Sequence, residues 1–373
     1  MPKSPNRKPI TREDVQAFHQ HEQPVMLRDA QGLSFHGMDL SGLRFIECNL
    51  ANCDFTGANL SDTQIVSCVL TEAKFEGCNL TNAQFVSCEM KGATMRETHA
   101  GRFQLVACDA ANAVFEGSTF EEVSIAQTKL EYADFSNTAF YRAVVLGSAI
   151  DGTRFKDAVL SNFMLTDADL RPVDLSGVFV DIAVFAEADL SGHDLSGQSW
   201  QHCTFHQATF KGTNFNGADL SASVFAECDF EGASLKEVTA NTTGFTKSRL
   251  DGVDLSGSRL CMANFAGASL KGASLNNSAL FSAVFLETDC RAALFERSDL
   301  NQAEFSHADV STASFASSSL TNAKFHAAKT EQTAFAGTSG RRIETDTDRL
   351  VAELYRTEKV ALDGETTASR GTV

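Results

Sequence analysis

The chain has 373 residues, and its 48 Asp and Glu outnumber its 31 Lys and Arg to give a formal net charge of -17. This balance excludes direct binding to nucleic acid or to an anionic membrane surface, and it favours basic protein surfaces as partners. No apolar run approaches the ~18 residues of a membrane span, and the N-terminus lacks the apolar stretch of a signal peptide, so we expect a cytoplasmic protein or one secreted without a leader.

Residues 1–30 are predicted to form an N-terminal tail and a short helix. In the stretch ITREDVQAFHQHEQP, Thr11 is placed to cap the helix, Asp14 falls in its first turn and Pro24 ends it. Val15 and Phe18 share one face of this helix. We expect that apolar face to cover the first coil of the region that follows.

A large apolar residue, most often Leu or Phe, recurs every five residues from Phe35 to Phe335, and we call these positions centres. Residues five apart lie ~140° apart around an α-helix, and they point to opposite faces of a flat strand, so neither element can bury them together. A chain that runs extended for three residues and then turns a corner directs every centre into one interior. Most glycines of this region stand two residues after a centre, where a corner needs a residue that tolerates positive φ.

The repeated units ANCDF, TGANL, TEAKF, EGCNL and EGASL resemble the A(D/N)Lxx motif of the bacterial pentapeptide-repeat proteins. The resemblance covers residues 31–337 and implies an all-β fold, a right-handed quadrilateral parallel β-helix with four pentapeptides per coil. This pentapeptide-repeat solenoid would have about 15 coils and, at ~4.8 Å per coil, a length of roughly 70 Å. Short N-terminal and C-terminal capping helices would complete it, with residues 338–373 forming a capping or dimerisation helix and a flexible tail.

Ten cysteines raise the question of disulfides or metal. Eight of them, Cys78 for example, stand two residues before a centre, at the small inward position that Ala or Ser occupies elsewhere. We interpret them as small core residues, and buried free thiols fit a reducing compartment. No metal ligands and no cofactor are expected.

Aspartates recur at multiples of twenty residues, which is one coil, and they form a candidate acidic contact ladder that Lys129 and Arg249 interrupt. A column of carboxylates would attract basic protein surfaces. The alternative interpretation is that the family motif favours Asp before a centre and that the charge keeps the protein soluble. The six members are Asp109, Asp169, Asp189, Asp229, Asp289 and Asp309.

The repeat is least regular between Pro172 and Trp200. Phe179 stands at an outward position, whereas His193 and Gln198 stand where small inward residues belong, and Trp200 is the single tryptophan at a centre. Buried His and Gln side chains need hydrogen-bond partners, so we expect the wall to kink and turn them outward. The same four residues, Phe179, His193, Gln198 and Trp200, are the candidate irregular-wall contact site if a partner binds there.

The five-residue pattern stops after Phe335, and the stretch DTDRLVAELYRTEKVALDG predicts a helix. Its apolar face, Leu350, Val351, Leu354 and Tyr355, is expected to cover the last coil around Thr330 and Phe335. In several members of the family a C-terminal segment also makes a dimer. The resemblance therefore implies a possible homodimer through this helix, and the same face is the candidate dimer surface.

No catalytic residues are expected, because a filled core and flat walls offer no enclosed pocket and the sequence lacks the common catalytic motifs. The scattered histidines, His307 and His326 among them, have no spacing that implies a triad. We therefore predict a non-enzymatic protein-interaction scaffold or adaptor, and the opening run LSFHGMDLSGLRF resembles proteins that accompany type VI secretion components or act as effectors. The alternative, from the quinolone-resistance subgroup of the family, is an acidic DNA mimic that binds DNA gyrase.

Overall fold

The computed structural model describes residues 7–354, and the chain forms two compact units, Met1–Asp229 and Phe230–Val373. The named strands lie in the first unit. They are β1 (Lys8–Pro9), β2 (Val25–Met26), β3 (Arg28–Asp29), β4 (Arg44–Ile46), β5 (Gln64–Val66), β6 (Gln84–Val86), β7 (His99–Gly101), β8 (Gln104–Val106), β9 (Thr119–Glu121), β10 (Ser124–Ala126), β11 (Ala139–Tyr141), β12 (Val144–Leu146), β13 (Val159–Thr166), β14 (Phe179–Val184), β15 (Trp200–Gln201), β16 (Thr204–His206) and β17 (Val224–Ala226).

The helix predicted to follow Thr11 is α1, Arg12–Gln20. It begins with a capping box in which the Asp14 amide donates to the Thr11 hydroxyl at 3.2 Å and the Thr11 amide donates to the Asp14 carboxylate at 2.9 Å. The carboxylate accepts from both the amide and the hydroxyl of Thr11, and these two hydrogen bonds lower the pKa of Asp14. Val15 is buried, and His19 Nε2 lies 2.9 Å from the Ser41 carbonyl, so the helix packs on the early coils.

The strands pair in parallel with a constant offset of twenty residues. Phe45 pairs with Ile65, which pairs with Phe85, and so on along the first unit. One coil is therefore four pentapeptides, and the predicted parallel β-helix is confirmed. Along its longest path the sheet stacks eleven strands, one per coil, from β2 to β17. The expected 15 coils were counted over residues 31–337 as one run, whereas these eleven belong to the first unit alone.

The second unit repeats the pattern through single bridges instead of three-residue strands. Ser234 pairs with Asp254 and Asp254 with Ser274, and the offset stays at twenty as far as Ser319 and Ser339. The last bridge joins Lys324 to Ile343, nineteen residues apart, so the final coil is one residue short. A helix follows at 347–354. No helix among the described residues is long and apolar enough to cross a membrane.

The centres fill the interior of each unit. Phe35, Phe55 and Phe75 are fully buried and stack at centroid distances of 5.1 and 5.0 Å. In the second unit Phe265 and Phe285 stack at 5.1 Å in the same way. This distance follows from the spacing of adjacent parallel strands, because identical residues one coil apart must lie directly above one another.

The small inward position carries a hydrogen bond that explains its polar occupants. Thr213 Oγ1 donates to the Leu190 carbonyl at 2.9 Å, and Cys78 Sγ donates to the Phe55 carbonyl at 2.9 Å. A short donor thus reaches the coil below and satisfies a backbone acceptor. All ten cysteines are free thiols, and burial raises the pKa of Cys78 to about 12, as expected for small core residues.

Candidate functional site

The aspartates of the predicted ladder first serve the corners of the solenoid. In each of the following pairs an aspartate carboxylate accepts a hydrogen bond from the backbone amide two residues later, at 2.9 to 3.1 Å: Asp169 and Arg171, Asp189 and Ser191, Asp309 and Ser311. Asp and Asn at this position therefore stabilise the turn, as they do in Asx-turns. This is a structural reason for the motif that is independent of any partner.

Each ladder aspartate also has a basic side chain beside it. Arg171 contacts Asp169 at 2.6 Å and Asp189 at 3.3 Å, and its hydrogen bond is the main cause of the lowered pKa of Asp169. The remaining pairs are Lys91 with Asp109 at 3.2 Å, Lys211 with Asp229 at 3.2 Å, Lys271 with Asp289 at 3.3 Å, Arg291 with Asp289 at 2.8 Å and Lys329 with Asp309 at 3.6 Å. In each unit the ladder aspartates are therefore members of ion pairs and not bare negative charges.

The structure separates the four residues of the irregular-wall site. Phe179 is 50% exposed, whereas Trp200 is buried and packs between Phe185 and Phe205 with centroid distances of 5.5 and 6.1 Å. Trp200 Nε1 donates to Gln198 Oε1 at 3.2 Å, which satisfies the indole inside the core. Trp200 is thus a core residue that no partner can contact in this conformation, whereas Phe179 lies on the surface.

His193 and Gln198 do not turn outward as predicted. Both are half-buried, and their Nε2 atoms lie 2.8 Å and 3.5 Å from the carbonyl oxygens of Leu170 and Leu175 in the coil below. Thr213 occupies the equivalent inward position and bonds the equivalent carbonyl of the coil below, that of Leu190. The longer side chains therefore keep the inward position, and their hydrogen bonds remove the need for a turn to solvent.

The backbone ladder opens next to these large inward residues. Within residues 147–198, all of which the structure describes, no bridge joins Ala149 to Asp169 or Asp174 to Asp194, although the bridges on either side of them are present. His193 and Gln198 need more room than Ala or Ser, and Pro172 has no N–H to donate. Within this described stretch each of these two walls therefore lacks one bridge, and the kink stays a prediction.

Several exposed apolar side chains lie where β13 and β14 pass from one wall of the solenoid to the next. These two walls are not the ones that lack a bridge. We call this set the corner patch: Tyr141, Leu146, Met164, Phe179 and Ile182, each between 37% and 50% exposed. Its members stand on three successive coils, because Val144 pairs with Met164 and Val159 pairs with Phe179. Exposed apolar residues that cluster in this way are typical of an interaction surface.

The backbone of Ile182 adds an energetic argument. This residue has φ of 52°, a left-handed conformation that costs a β-branched residue more than Gly or Asn. Its side chain is 49% exposed, so burial does not repay the cost. Because the fold imposes positive φ at this corner on the two preceding coils as well, at Arg142 and Asn162, the cost lies in the choice of an exposed Ile for the corner and not in the conformation itself.

Two exposed carboxylates lie beside the corner patch, Asp167 directly after β13 and Glu187 one coil later. Among the described residues no basic side chain lies within ion-pair distance of either one. They differ in this from Asp169 and Asp189 two residues further on, which share Arg171. Within the described structure, negative charge without a basic neighbour is therefore available next to the apolar patch, as it also is at other exposed carboxylates such as Asp62 and Asp157.

The structure describes three of the four residues of the C-terminal candidate face. Leu350 is half-buried, Val351 and Leu354 are exposed, and Tyr355 lies outside the described residues. Thr330 is exposed, and Phe335 is covered in part by Arg342, whose guanidinium carbon lies 3.8 Å from the ring centroid. The role of Arg342 was not predicted, because it follows the last regular repeat.

A cluster of possible metal ligands near this helix was also not predicted from the sequence. His307, His326 and Glu353 bring two imidazoles and a carboxylate together, with ligand atoms within 4.8 Å of one another. The two histidines are nineteen residues apart, which is nearly one coil, so the coil length was the signal that could have placed them at one corner.

Comparison with known families accounts for the repeat. A family model described as a pentapeptide repeat region matches residues 198–275, and a second one, for pentapeptide repeats in eight copies, matches residues 34–71, 64–99, 165–197 and 293–332. Together the two cover more than half of the chain. The chain belongs to the pentapeptide-repeat family.

Solved structures of the same kind resemble the chain at low identity. Full-length QnrB1, a plasmid-mediated fluoroquinolone resistance protein, is 21% identical over 49% of this chain and 92% of its own, with a TM-score of 0.33. HetL, involved in heterocyst differentiation regulation in the cyanobacterium Nostoc sp., is 16% identical over 77% of this chain and 97% of its own, with a TM-score of 0.20. A pentapeptide repeat protein from the thylakoid lumen of Arabidopsis thaliana is 29% identical over 28% and 68%, with a TM-score of 0.14. A search of curated proteins found no match.

Proposed function

We propose that this protein is a non-enzymatic scaffold or adaptor that binds a partner protein through the corner patch. The observation that carries the proposal is the patch itself, a group of exposed apolar side chains on successive coils. In the described stretch 147–198 two bridges are absent from the opposite walls of the same coils, and large His193 and Gln198 side chains stand at small inward positions there, so this part of the first unit differs from the regular coils both inside and outside.

The partner's chemistry follows from what surrounds the patch. Apolar side chains would cover Met164 and Phe179, and basic side chains would approach Asp167 and Glu187, which have no basic neighbour of their own in the described structure. Charge pairs at the rim speed encounter more than they add affinity, so the apolar contact would supply most of the binding. We expect no direct contact with nucleic acid or membrane.

We infer no catalytic role. Phe and Leu centres fill the interior, and the polar residues of the small inward position are occupied with backbone carbonyls, as Thr213 is. Catalysis needs a nucleophile or base beside space for a substrate. The corner patch is apolar and open, which suits binding but not chemistry.

The DNA-mimic alternative depends on the acidic ladder as a substitute for phosphate. The net charge of -17 supports it, but each of the six ladder aspartates has a Lys or Arg beside it, which weakens the mimicry. A supercoiling assay with purified gyrase, with and without a fluoroquinolone, tests it. Inhibition or drug protection that is lost when Asp169, Asp189, Asp229 and Asp309 are changed to Asn would favour the mimic over the scaffold.

The scaffold proposal is tested by capture of partners from an extract of the native cell, with secretion components, type VI included, among the candidates to be sought. The double variant Phe179→Ser, Met164→Ser should lose the partner that the wild type retains. Tyr132→Ser is the matched control, because Tyr132 is an exposed aromatic residue, 67% accessible, at a corner away from the patch. Equal loss with Tyr132→Ser, or retention by the double variant, would reject the patch as the binding surface.

A further inference from the structure

We propose that His307, His326 and Glu353 form a binding site for a divalent transition metal, with Zn²⁺ the best match, and that the metal fastens the helix at 347–354 to the last coils of the second unit. The site is separate from the corner patch and does not depend on the proposed function. Two ligands come from coils and the third from the helix, so only a chain with that helix in place can assemble the site.

The two distances from the carboxylate to the imidazoles fit a tetrahedral ion. Glu353 Oε2 lies 3.3 Å from His307 Nε2 and 3.2 Å from His326 Nε2. A tetrahedral zinc site with bonds of ~2.0–2.1 Å places neighbouring ligand atoms ~3.3–3.4 Å apart. The two imidazole rings are nearly perpendicular, at 84° with centroids 5.5 Å apart, so they do not stack and their nitrogens can converge on one point.

An arginine on the same helix holds the Glu353 carboxylate in place. Arg349 Nε donates to Glu353 Oε1 at 2.8 Å, one helical turn away, which leaves Oε2 directed at both histidines. His326 is almost fully buried, with 4% of its surface exposed, whereas His307 is open to solvent. A metal can therefore enter past His307, and the fourth position would hold water.

Hydrogen bonds hold the cluster when no metal is bound. The Asp346 amide donates to His326 Nδ1 at 3.2 Å, so the ring carries its proton on Nε2 and donates it to Glu353. A metal at Nε2 requires this proton to move to Nδ1 and the Asp346 amide to bond water instead. Asp346 is exposed at the start of the helix, where water can reach its amide, so the exchange costs one long hydrogen bond.

The test uses the full chain, free of any affinity tag and treated with a chelator. Titration with Zn²⁺ by calorimetry should show one site per chain, and Co²⁺ should give the visible absorption of a tetrahedral complex. Glu353→Gln and His307→Asn should each weaken Zn²⁺ binding by roughly tenfold or more. The controls are Glu331→Gln and His36→Asn, exposed residues outside the cluster that should leave binding unchanged.

A second readout follows the helix and not the metal. Hydrogen exchange of amides 347–354 should slow when Zn²⁺ is added to the wild type, and it should not respond in Glu353→Gln. Any one of three results would overturn the proposal and leave the cluster as a set of hydrogen bonds. They are Zn²⁺ binding that is unaffected by both cluster substitutions, an absence of one-to-one binding at micromolar Zn²⁺, and hydrogen exchange at 347–354 that does not change when the metal is added.

Discussion

Two stretches of one outward column differ although the coils behind them are built alike. On three early coils the column carries Gln64, Gln84 and Gln104. Further along the chain, three coils with the same twenty-residue pairing carry Val144, Met164 and Val184 in that column. The inward residues are large and apolar in both stretches, because the core must be filled. Outward residues are free of that constraint, so a change from amide to apolar side chains there is better explained by contact than by folding.

The largest predicted loss of stability comes from changing an inward residue. Phe75→Ala removes a fully buried ring that lies 5.0 Å from Phe55 and 5.6 Å from Phe85, and it should cost ~3–5 kcal/mol of the free energy of unfolding. Urea unfolding followed by the fluorescence of Trp200 reports on the first unit. The outward control Phe179→Ala should change that free energy by no more than about 0.5 kcal/mol. Similar losses in both variants would contradict the division into inward and outward roles.

A smaller loss is expected when the inward hydrogen bond is removed. Thr213→Val keeps the shape of a buried side chain but leaves the Leu190 carbonyl without its 2.9 Å donor, so it should cost about 1–3 kcal/mol. Thr204→Val, on an exposed wall, is the control for the same change of side chain. If the two variants unfold at the same urea concentration, the inward hydrogen bond does not stabilise the coil.

Relief of backbone strain at Ile182 should stabilise the first unit while weakening partner binding. Ile182→Gly removes a β-branched residue from φ of 52°, and we expect a gain of about 1 kcal/mol in the free energy of unfolding. Gly57→Ala, at φ of 67° with open space around it, should lose a similar amount. A destabilised Ile182→Gly would show that this side chain serves the fold and not a partner.

The smallest effect concerns the ion pairs of the ladder. The hydrogen bond from Arg171 lowers the pKa of Asp169, so the pair stabilises the fold above the ordinary carboxyl pKa of ~3.9 and loses that contribution as the pH falls through the lower folded value. Arg171→Gln should therefore be slightly less stable than wild type at pH 7, and the difference should disappear as the pH falls through the lowered pKa of Asp169. The difference at pH 7 should also shrink in high salt, because the pair is exposed. A difference that grows as the pH falls would have the wrong sign.

A coiled chain could be predicted from sequence because the five-residue spacing of centres such as Phe55 and Phe75 excludes a helix and a flat strand, whereas the four corners per coil came from the resemblance to the pentapeptide-repeat family. The ion pairs could also have been predicted from the coil length, because Lys211 stands eighteen residues before Asp229. They were missed because the recurring aspartates were considered without the basic residues beside them. The position of His193 depended on whether its ring could reach the Leu170 carbonyl. Arg342 covers Phe335 at the end of the repeat, where the last coil is one residue short. A regular five-residue pattern does not predict this shortening.

The measurement that tests the central claim most directly is a hydrogen-exchange footprint of the complex with the captured partner. The account predicts slower exchange in β13 and β14, with the edges of the corner patch at Tyr141 and Ile182 protected, and little change around the ladder at Asp169 and Asp189. Protection that follows the ladder and leaves β13 and β14 unchanged would contradict it and favour recognition by charge.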